Sequence, residues 1–406
     1  MQHQITSQQI YLDHAATTPL SETAGAAMEA CLYEPYGNPS SMHQVGRQAY
    51  DALYESRRTL AEALSVDPQE IILTGSGTES DNLALLGLAR RHREHGNHVI
   101  ISAIEHKAVL AAAEQLEREG FSVTRLPVDA SGMVSVVDLK TALQPETILV
   151  SIMYANNEIG TVEPIGDVVQ VCKEFRQNSQ YPLVHTDACQ AVGMLQCVPH
   201  MLGVDAMTIN SSKIYGPKGV GLLYLRRGVS IQPLIVGGDQ EHGIRAGTEN
   251  IALIAGFATA LTEAVAHTHT HGVVMKKLQS YFIQELLATV PGIAFNGHST
   301  DRLPNNVHVT IPDIEGESLV LMLSEAGICC ATGSACSSRD LEPSHVLHAI
   351  GQSDDVIHGS LRFTFGRTTT KEALSHTARV LGEVVKQLRT ITACTTEVYK
   401  QQKARI

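Results

Sequence analysis

The 406-residue chain sets 30 Lys and Arg against 42 Asp and Glu, a formal net charge of −12, with 43% hydrophobic residues, 18% charged residues and no Trp. That balance excludes a disordered chain and a surface that grips nucleic acid broadly, and no unbroken apolar run reaches bilayer length, so no membrane contact is expected. The length exceeds one ordinary hydrophobic core, so two domains sharing a cleft are expected.

Met1 to Gln9 is polar and Gln-rich, and the first Arg and Lys are Arg47 and Lys107. Neither a secretory nor an Arg-rich transit pattern is present, and the cytoplasm is the expected compartment. The eight cysteines (Cys31, Cys172, Cys189, Cys197, Cys329, Cys330, Cys336 and Cys394) show no Cys-x-x-Cys pair and no zinc spacing, so most read as reduced core residues and no metal is expected.

In chain order, Ile10-Tyr11-Leu12 reads as a short strand and Glu22 to Tyr33 as a helix. Gly37-Asn38-Pro39-Ser40-Ser41 is a loop, and a charged amphipathic helix follows from Arg47 to Leu64. From Ile71 to Leu225 short apolar strands alternate with helices. The strands are expected at 71–74, 98–102, 122–126, 147–152, 183–186, 206–209 and 221–225, with helices at 81–93, 107–119 and 165–176. This alternation predicts an α/β fold with a mostly parallel sheet covered on both faces, binding its ligand beyond the carboxyl ends of the strands. Thr248 to Thr289 reads as a long helix interrupted near Gly272. It carries His267 and His271 on one face, a weak metal pattern without a carboxylate or thiol partner. The remainder reads as a smaller α+β unit with strands at 293–296, 306–311 and 360–365 and helices at 315–325, 344–349 and 371–389.

Six stretches have the residue types of a reactive site, each with a plainer alternative. Lys213 lies in Asn210-Ser211-Ser212-Lys213-Ile214-Tyr215-Gly216-Pro217-Lys218-Gly219 between two apolar strands. A tight, poorly solvated pocket there would lower its pKa and make it a nucleophile, although taken alone the stretch reads first as an exposed turn. Thr74-Gly75-Ser76-Gly77-Thr78 follows a strand and opens a helix, as a phosphate cup or an ordinary capped start. Neither a dinucleotide fingerprint nor a nucleotide P-loop is present. Asp187 ends an apolar strand, where a carboxylate can hold a protonated ring nitrogen or cap a helix. His106 follows another strand and suits stacking and proton transfer, or simple structural bonding. Cys336, in Gly333-Ser334-Ala335-Cys336-Ser337-Ser338, is a loop thiol able to form a thiolate or to remain inert. Arg362 sits among apolar residues, as a carboxylate clamp or a structural ion pair.

Taken together, the chain resembles a cysteine desulfurase of the pyridoxal-phosphate-dependent fold-type I family. The resemblance runs from Leu12-Asp13-His14-Ala15-Ala16-Thr17-Thr18-Pro19 to Leu361-Arg362-Phe363. Its most specific pieces are Asn156-Asn157-Glu158-Ile159-Gly160, Lys213 to Gly219, and Ser334-Ala335-Cys336 followed by Leu341-Glu342-Pro343-Ser344. The last resembles the subgroup whose longer catalytic loop hands sulfur to partner proteins. The resemblance implies Lys213 as the Schiff-base lysine, Asp187 as partner of the ring nitrogen and His106 as the stacked acid/base. Asn157 and Gln190 would contact the cofactor ring. Gly77, Thr78, Asn210 and Ser212 would complete its cradle. Thr248 would reach the phosphate of a neighbouring subunit, implying a homodimer. Arg362, Asn157 and Asn38 would hold the L-cysteine substrate, and Cys336 would take its sulfur as a persulfide, releasing L-alanine. Residues 1–20 would form an arm joined to the small domain, 21–262 the large cofactor-binding domain, and 263–406 the small domain carrying the Cys336 loop.

Two positions depart from the family pattern. Ser211-Ser212 stands where Gly-His usually precedes the lysine, and His14 where an aromatic residue or Asn is usual. A selenocysteine lyase, another pyridoxal-phosphate lyase and a non-catalytic sulfur-relay subunit are the alternatives. The acceptor, whether for iron–sulfur assembly, RNA thiolation or DNA phosphorothioation, is open at this point.

Overall fold

The computed structural model describes residues 9–177, 179–333 and 343–403. Its strands are β1 (Ile10–Tyr11), β2 (Ile71–Thr74), β3 (His98–Ser102), β4 (Ser122–Leu126), β5 (Thr147–Ser151), β6 (Leu183–Asp187), β7 (Ala206–Asn210), β8 (Gly221–Leu225), β9 (Ala294–Asn296), β10 (Asn306–Thr310), β11 (Ile328–Cys329) and β12 (Ser360–Thr364). Seven of them form one sheet in the order β2-β8-β7-β6-β5-β3-β4. The pairs from β7 to β4 are parallel, whereas β8 runs antiparallel to both β2 and β7. Every residue of β2, β3, β5, β6 and β8 is buried, which is why these strands read as continuous apolar runs and not as alternating ones. The strand order places the carboxyl ends of β3, β5, β6 and β7 side by side, at Ser102, Ser151, Asp187 and Asn210.

A second, antiparallel sheet has the order β12-β10-β9. The N-terminal arm joins this part of the molecule: β1 pairs in parallel with β11, and beyond it Thr364 donates its amide to the Leu12 carbonyl at 2.7 Å. The apolar interior follows the same division. One cluster gathers Leu60, Val150, Val184, Met207 and Phe257, and a separate one gathers Leu12, Phe282, Val309, Phe363 and Leu381.

The long helix Ile251–Thr289 links the two clusters, with Ile254, Phe257 and Leu261 in the first and Met275, Phe282 and Leu286 in the second. Contrary to the sequence expectation, it is unbroken at Gly272. A mid-helix glycine costs only about 1 kcal/mol, and burial along both cores exceeds that. The helix is long and apolar enough to cross a bilayer by those two criteria, although no apolar run was expected to be. Its buried side chains serve two protein cores at once, which accounts for that composition.

Other boundaries also move. The helix expected from Asp81 starts at Gly77 with Ser76 as its cap, passes through a π turn at Leu83–Gly87 and ends at Arg91. The amphipathic helix begins at Gln44, capped by His43 Nδ1 on the Gly46 amide. The short helix Val136–Ala142 falls between two expected strands, where a helix was expected without bounds, and strand β11 was not anticipated, being too brief for a periodic signal.

Candidate active site

A cavity of about 340 Å³ opens at the carboxyl edge of the parallel strands. Of the residues singled out in the sequence, Gly77, Thr78, His106, Asn157, Asp187, Gln190, Asn210, Lys213 and Arg362 line it. They come from separate turns and strand ends, brought together by the strand order.

Lys213 closes a single 3₁₀ turn, Ser211–Lys213, directly after β7. Asn210 caps that turn, its Oδ1 accepting from the Ser212 amide at 3.4 Å. The Lys213 ammonium donates to the carbonyls of Ala15 and Ala16 at 2.8 and 2.7 Å. The same N-terminal segment holds the turn from the other side: the Thr18 amide donates to Ser212 O at 2.8 Å, and the Tyr215 amide donates to Thr18 Oγ1 at 2.7 Å. The Ser211-Ser212 pair therefore sits in a lysine turn stitched to residues 15–18, and Ser212 is buried behind the cavity wall.

Asp187, 7% exposed at the end of β6, accepts from the Cys189 amide through Oδ1 at 2.8 Å. Two carboxyl groups that the sequence did not single out surround it. Asp81 lines the cavity, and burial followed by the charge of Asp187 pushes its pKa well above the usual carboxylate range. Glu105 accepts from Ser102 Oγ at 2.6 Å and from the Met153 amide at 2.9 Å, and burial pushes it up to about 8. Burial thus disfavours the charged form of both carboxyl groups beside Asp187. Beneath them His185 spans Ser151 Oγ at 2.8 Å and Thr208 Oγ1 at 3.0 Å, its pKa lowered by burial to about 4, so the ring is neutral.

Glu105 makes a stability prediction. Its folded-state pKa is raised, so its contribution is complete below the unfolded value of about 4.5 and is lost as pH rises through about 8. Urea unfolding at pH 5 and pH 8.5 is expected to show a smaller loss of stability in Glu105→Gln than in the parent, by about 2–4 kcal/mol. Equal losses in both proteins refute the raised pKa.

His106 caps the helix Lys107–Arg118, its Nδ1 accepting from the Ala108 amide at 3.1 Å, which leaves Nε2 to carry the proton of the neutral ring. Burial, chiefly, holds its pKa below the ordinary value, with Asp187 opposing and Lys213 adding to the shift. Ser76 Oγ takes the Glu79 amide, so the first-turn amides of Gly77 and Thr78 have no intrahelical partner at the cavity wall. A Cβ added at Gly77 would stand 3.0 Å from Cys189 Sγ and 3.2 Å from Asn210 Cβ, so the close approach there requires glycine. Arg362, 2% exposed on β12, donates from Nη1 to the Asn157 carbonyl and from Nη2 to Asp13 Oδ1, both at 2.9 Å.

Thr248 and Asn38 are exposed and away from this wall, and Cys336 lies outside the described residues. The sequence reading gave no site role to Ala15, Ala16, Asp81, Glu158, Cys189 and His345, all of which line the cavity. His345 donates from Nε2 to the Glu105 carbonyl at 2.9 Å. Asp81 had a usable signal, lying one helical turn after Gly77-Thr78. Ala15 and Ala16 act only through backbone carbonyls and had none.

Residues 10–376 match the aminotransferase class-V family. The chain is 46% identical over 394 residues to a cysteine desulfurase IscS of Dictyoglomus turgidum, covering 97% of this chain and 98% of that protein. It is 44% identical over 391 residues to a cysteine desulfurase IscS of Methanosarcina thermophila, covering 96% of this chain and 95% of that one. The solved structure of a NifS-like protein superposes with a TM-score of 0.88 at 35% identity, covering 94% of this chain and all of that chain.

Proposed function

The chain belongs to the aminotransferase class-V family, and on that footing we infer that it is a pyridoxal-phosphate-dependent cysteine desulfurase, which converts L-cysteine to L-alanine and passes the sulfur on as an enzyme persulfide. The observation that carries this reading is the single cavity onto which Lys213, Asp187, His106 and Arg362 all open.

The donor set fits pyridoxal phosphate. Asp187, beside two carboxyl groups whose charged forms burial disfavours, is placed for the ring nitrogen, and Gly77 gives a Cβ-free approach to two first-turn amides for the phosphate. Thr78, Gln190 and Asn210 line the same wall. When bound, the cofactor supplies an electron sink for charge developing at the substrate Cα. Lys213 would hold it covalently and serve as the base for the Cα proton. His106 would contact the ring and move protons through Nε2. Arg362, oriented by Asn157, holds the substrate carboxylate. Cys336 attacks the substrate sulfur as a thiolate: an S–S bond forms, the C–S bond breaks with its electron pair going to the substrate carbon, which takes a proton to become that of alanine, and the sulfur remains on the enzyme as a persulfide. Burial raises the thiols of Cys172 and Cys330 to about 12 and lifts Cys189 and Cys197 as well, which leaves them protonated and unreactive.

In this reading residues 21–262 form the cofactor-binding domain, and 263–406 with the arm 1–20 form the small domain. The active form is a cytoplasmic homodimer in which Thr248 reaches the neighbour's phosphate and Asn38 assists substrate binding. Sulfur-acceptor proteins take the persulfide from Cys336. The test feeds L-cysteine to the purified holoenzyme with a thiol reductant. L-Alanine and sulfide are expected in equal amounts, and pyruvate or no alanine overturns the reading.

A further inference from the structure

We propose that Asp13 is the positioning residue of the carboxylate clamp: it fixes the Arg362 fork and, by neutralising part of its charge, limits how tightly that fork holds a bound amino acid. The inference rests on the reading of Arg362 as the clamp and goes beyond it. A guanidinium 2% exposed needs a counter-charge where it stands. Among the described residues the one carboxylate paired with it is Asp13, at 2.9 Å through Oδ1. With Nη1 on the Asn157 carbonyl, two of the five N–H donors are engaged by described residues, and among these the buried Nε has no acceptor. Arg362 lines the cavity, so the Nη donors left over face where a substrate carboxylate would bind. His308, nearby on β10, adds no opposing charge. Burial, reinforced by Arg362 and Arg302, lowers its pKa to about 3 and keeps it neutral.

The backbone of Asp13 is fixed by the residues that also hold the lysine. Its carbonyl accepts from Tyr11 Oη at 3.1 Å. Two residues on, Ala15 O accepts both from Lys213 Nζ at 2.8 Å and from Gln190 Nε2 at 3.0 Å. The tetrapeptide Asp13–Ala16 thus registers the clamp against the amine, which sets where a substrate Cα sits relative to its base. Charge has a second consequence. Once an amino-acid carboxylate is bound, the guanidinium faces two anions, so each is held less tightly than it would be alone. Substrate and L-alanine product share that carboxylate, and the arrangement favours release.

The experiment reads L-alanine binding by the change in cofactor absorbance of the holoenzyme, together with KM and kcat for L-cysteine. Asp13→Asn retains an oxygen acceptor and removes the charge. Its dissociation constant for L-alanine and its KM are expected to fall by about three- to tenfold, with no rise in kcat. Asp13→Ala also removes the acceptor and frees the fork, and both constants are expected to rise. Shifts in the same direction in the two variants, or none, overturn the proposal while Arg362→Ala weakens L-alanine binding. If Arg362→Ala leaves that binding unchanged, the clamp reading itself fails and takes the proposal with it.

Discussion

Lys213→Ala is expected to abolish L-cysteine turnover and to leave pyridoxal phosphate held by non-covalent contacts alone. The side chain carries two duties, linkage to the cofactor and removal of the Cα proton, and alanine removes both. Lys107 also lines the cavity, at the start of the helix capped by His106. In the variant the carbonyls of Ala15 and Ala16, which receive the Lys213 ammonium, lose that donor. Loss of alanine formation by at least about 10³-fold is expected. Borohydride treatment followed by peptide mass measurement should fix cofactor on Lys213 in the parent and nowhere in the variant. Substantial turnover in Lys213→Ala would remove the lysine from the chemistry.

Cys336→Ser separates the early steps from the late one. The variant is expected to bind cofactor and L-cysteine as the parent does, seen as the same absorbance change on adding substrate, and to form no persulfide. A serine hydroxyl is far less acidic than a thiol and offers no sulfur to receive sulfur. Alanine production should fall by about 10²-fold or more, and label from ³⁵S-cysteine should not remain on the protein. Full activity in Cys336→Ser would move the sulfur-accepting role elsewhere. Among the described thiols, burial keeps Cys172, Cys189, Cys197 and Cys330 protonated.

The large sheet was legible because its strands are buried on both faces. Runs such as Ile71–Thr74 and Thr147–Ser151 are continuous, short and flanked by helical periodicity, a pattern with few other solutions. The reactive residues were legible for a related reason: Asp187 ends a strand, and Lys213 and His106 follow strand ends, where α/β sheets place their ligands. The unbroken helix through Gly272 was not legible. Local propensity favours a break there, and the two cores that override it are assembled from residues far apart in the chain.

The arm was the larger surprise. Asp13, Ala15 and Ala16 carry no periodic signal, yet they contact Arg362 and Lys213, 349 and up to 198 positions away. Asp81 and Glu105 likewise look like ordinary helix and loop acids until the sheet buries them beside Asp187.

By itself the sequence determined which residue types could react and that strand ends would present them, since strand burial and helix periodicity are local properties of the chain. Only the tertiary structure decided the proton and charge relations among them: which carboxyl groups burial keeps neutral, which carbonyls receive the lysine, and which acid occupies the arginine fork. Those relations depend on distance and dielectric between groups hundreds of residues apart, and no local pattern encodes either.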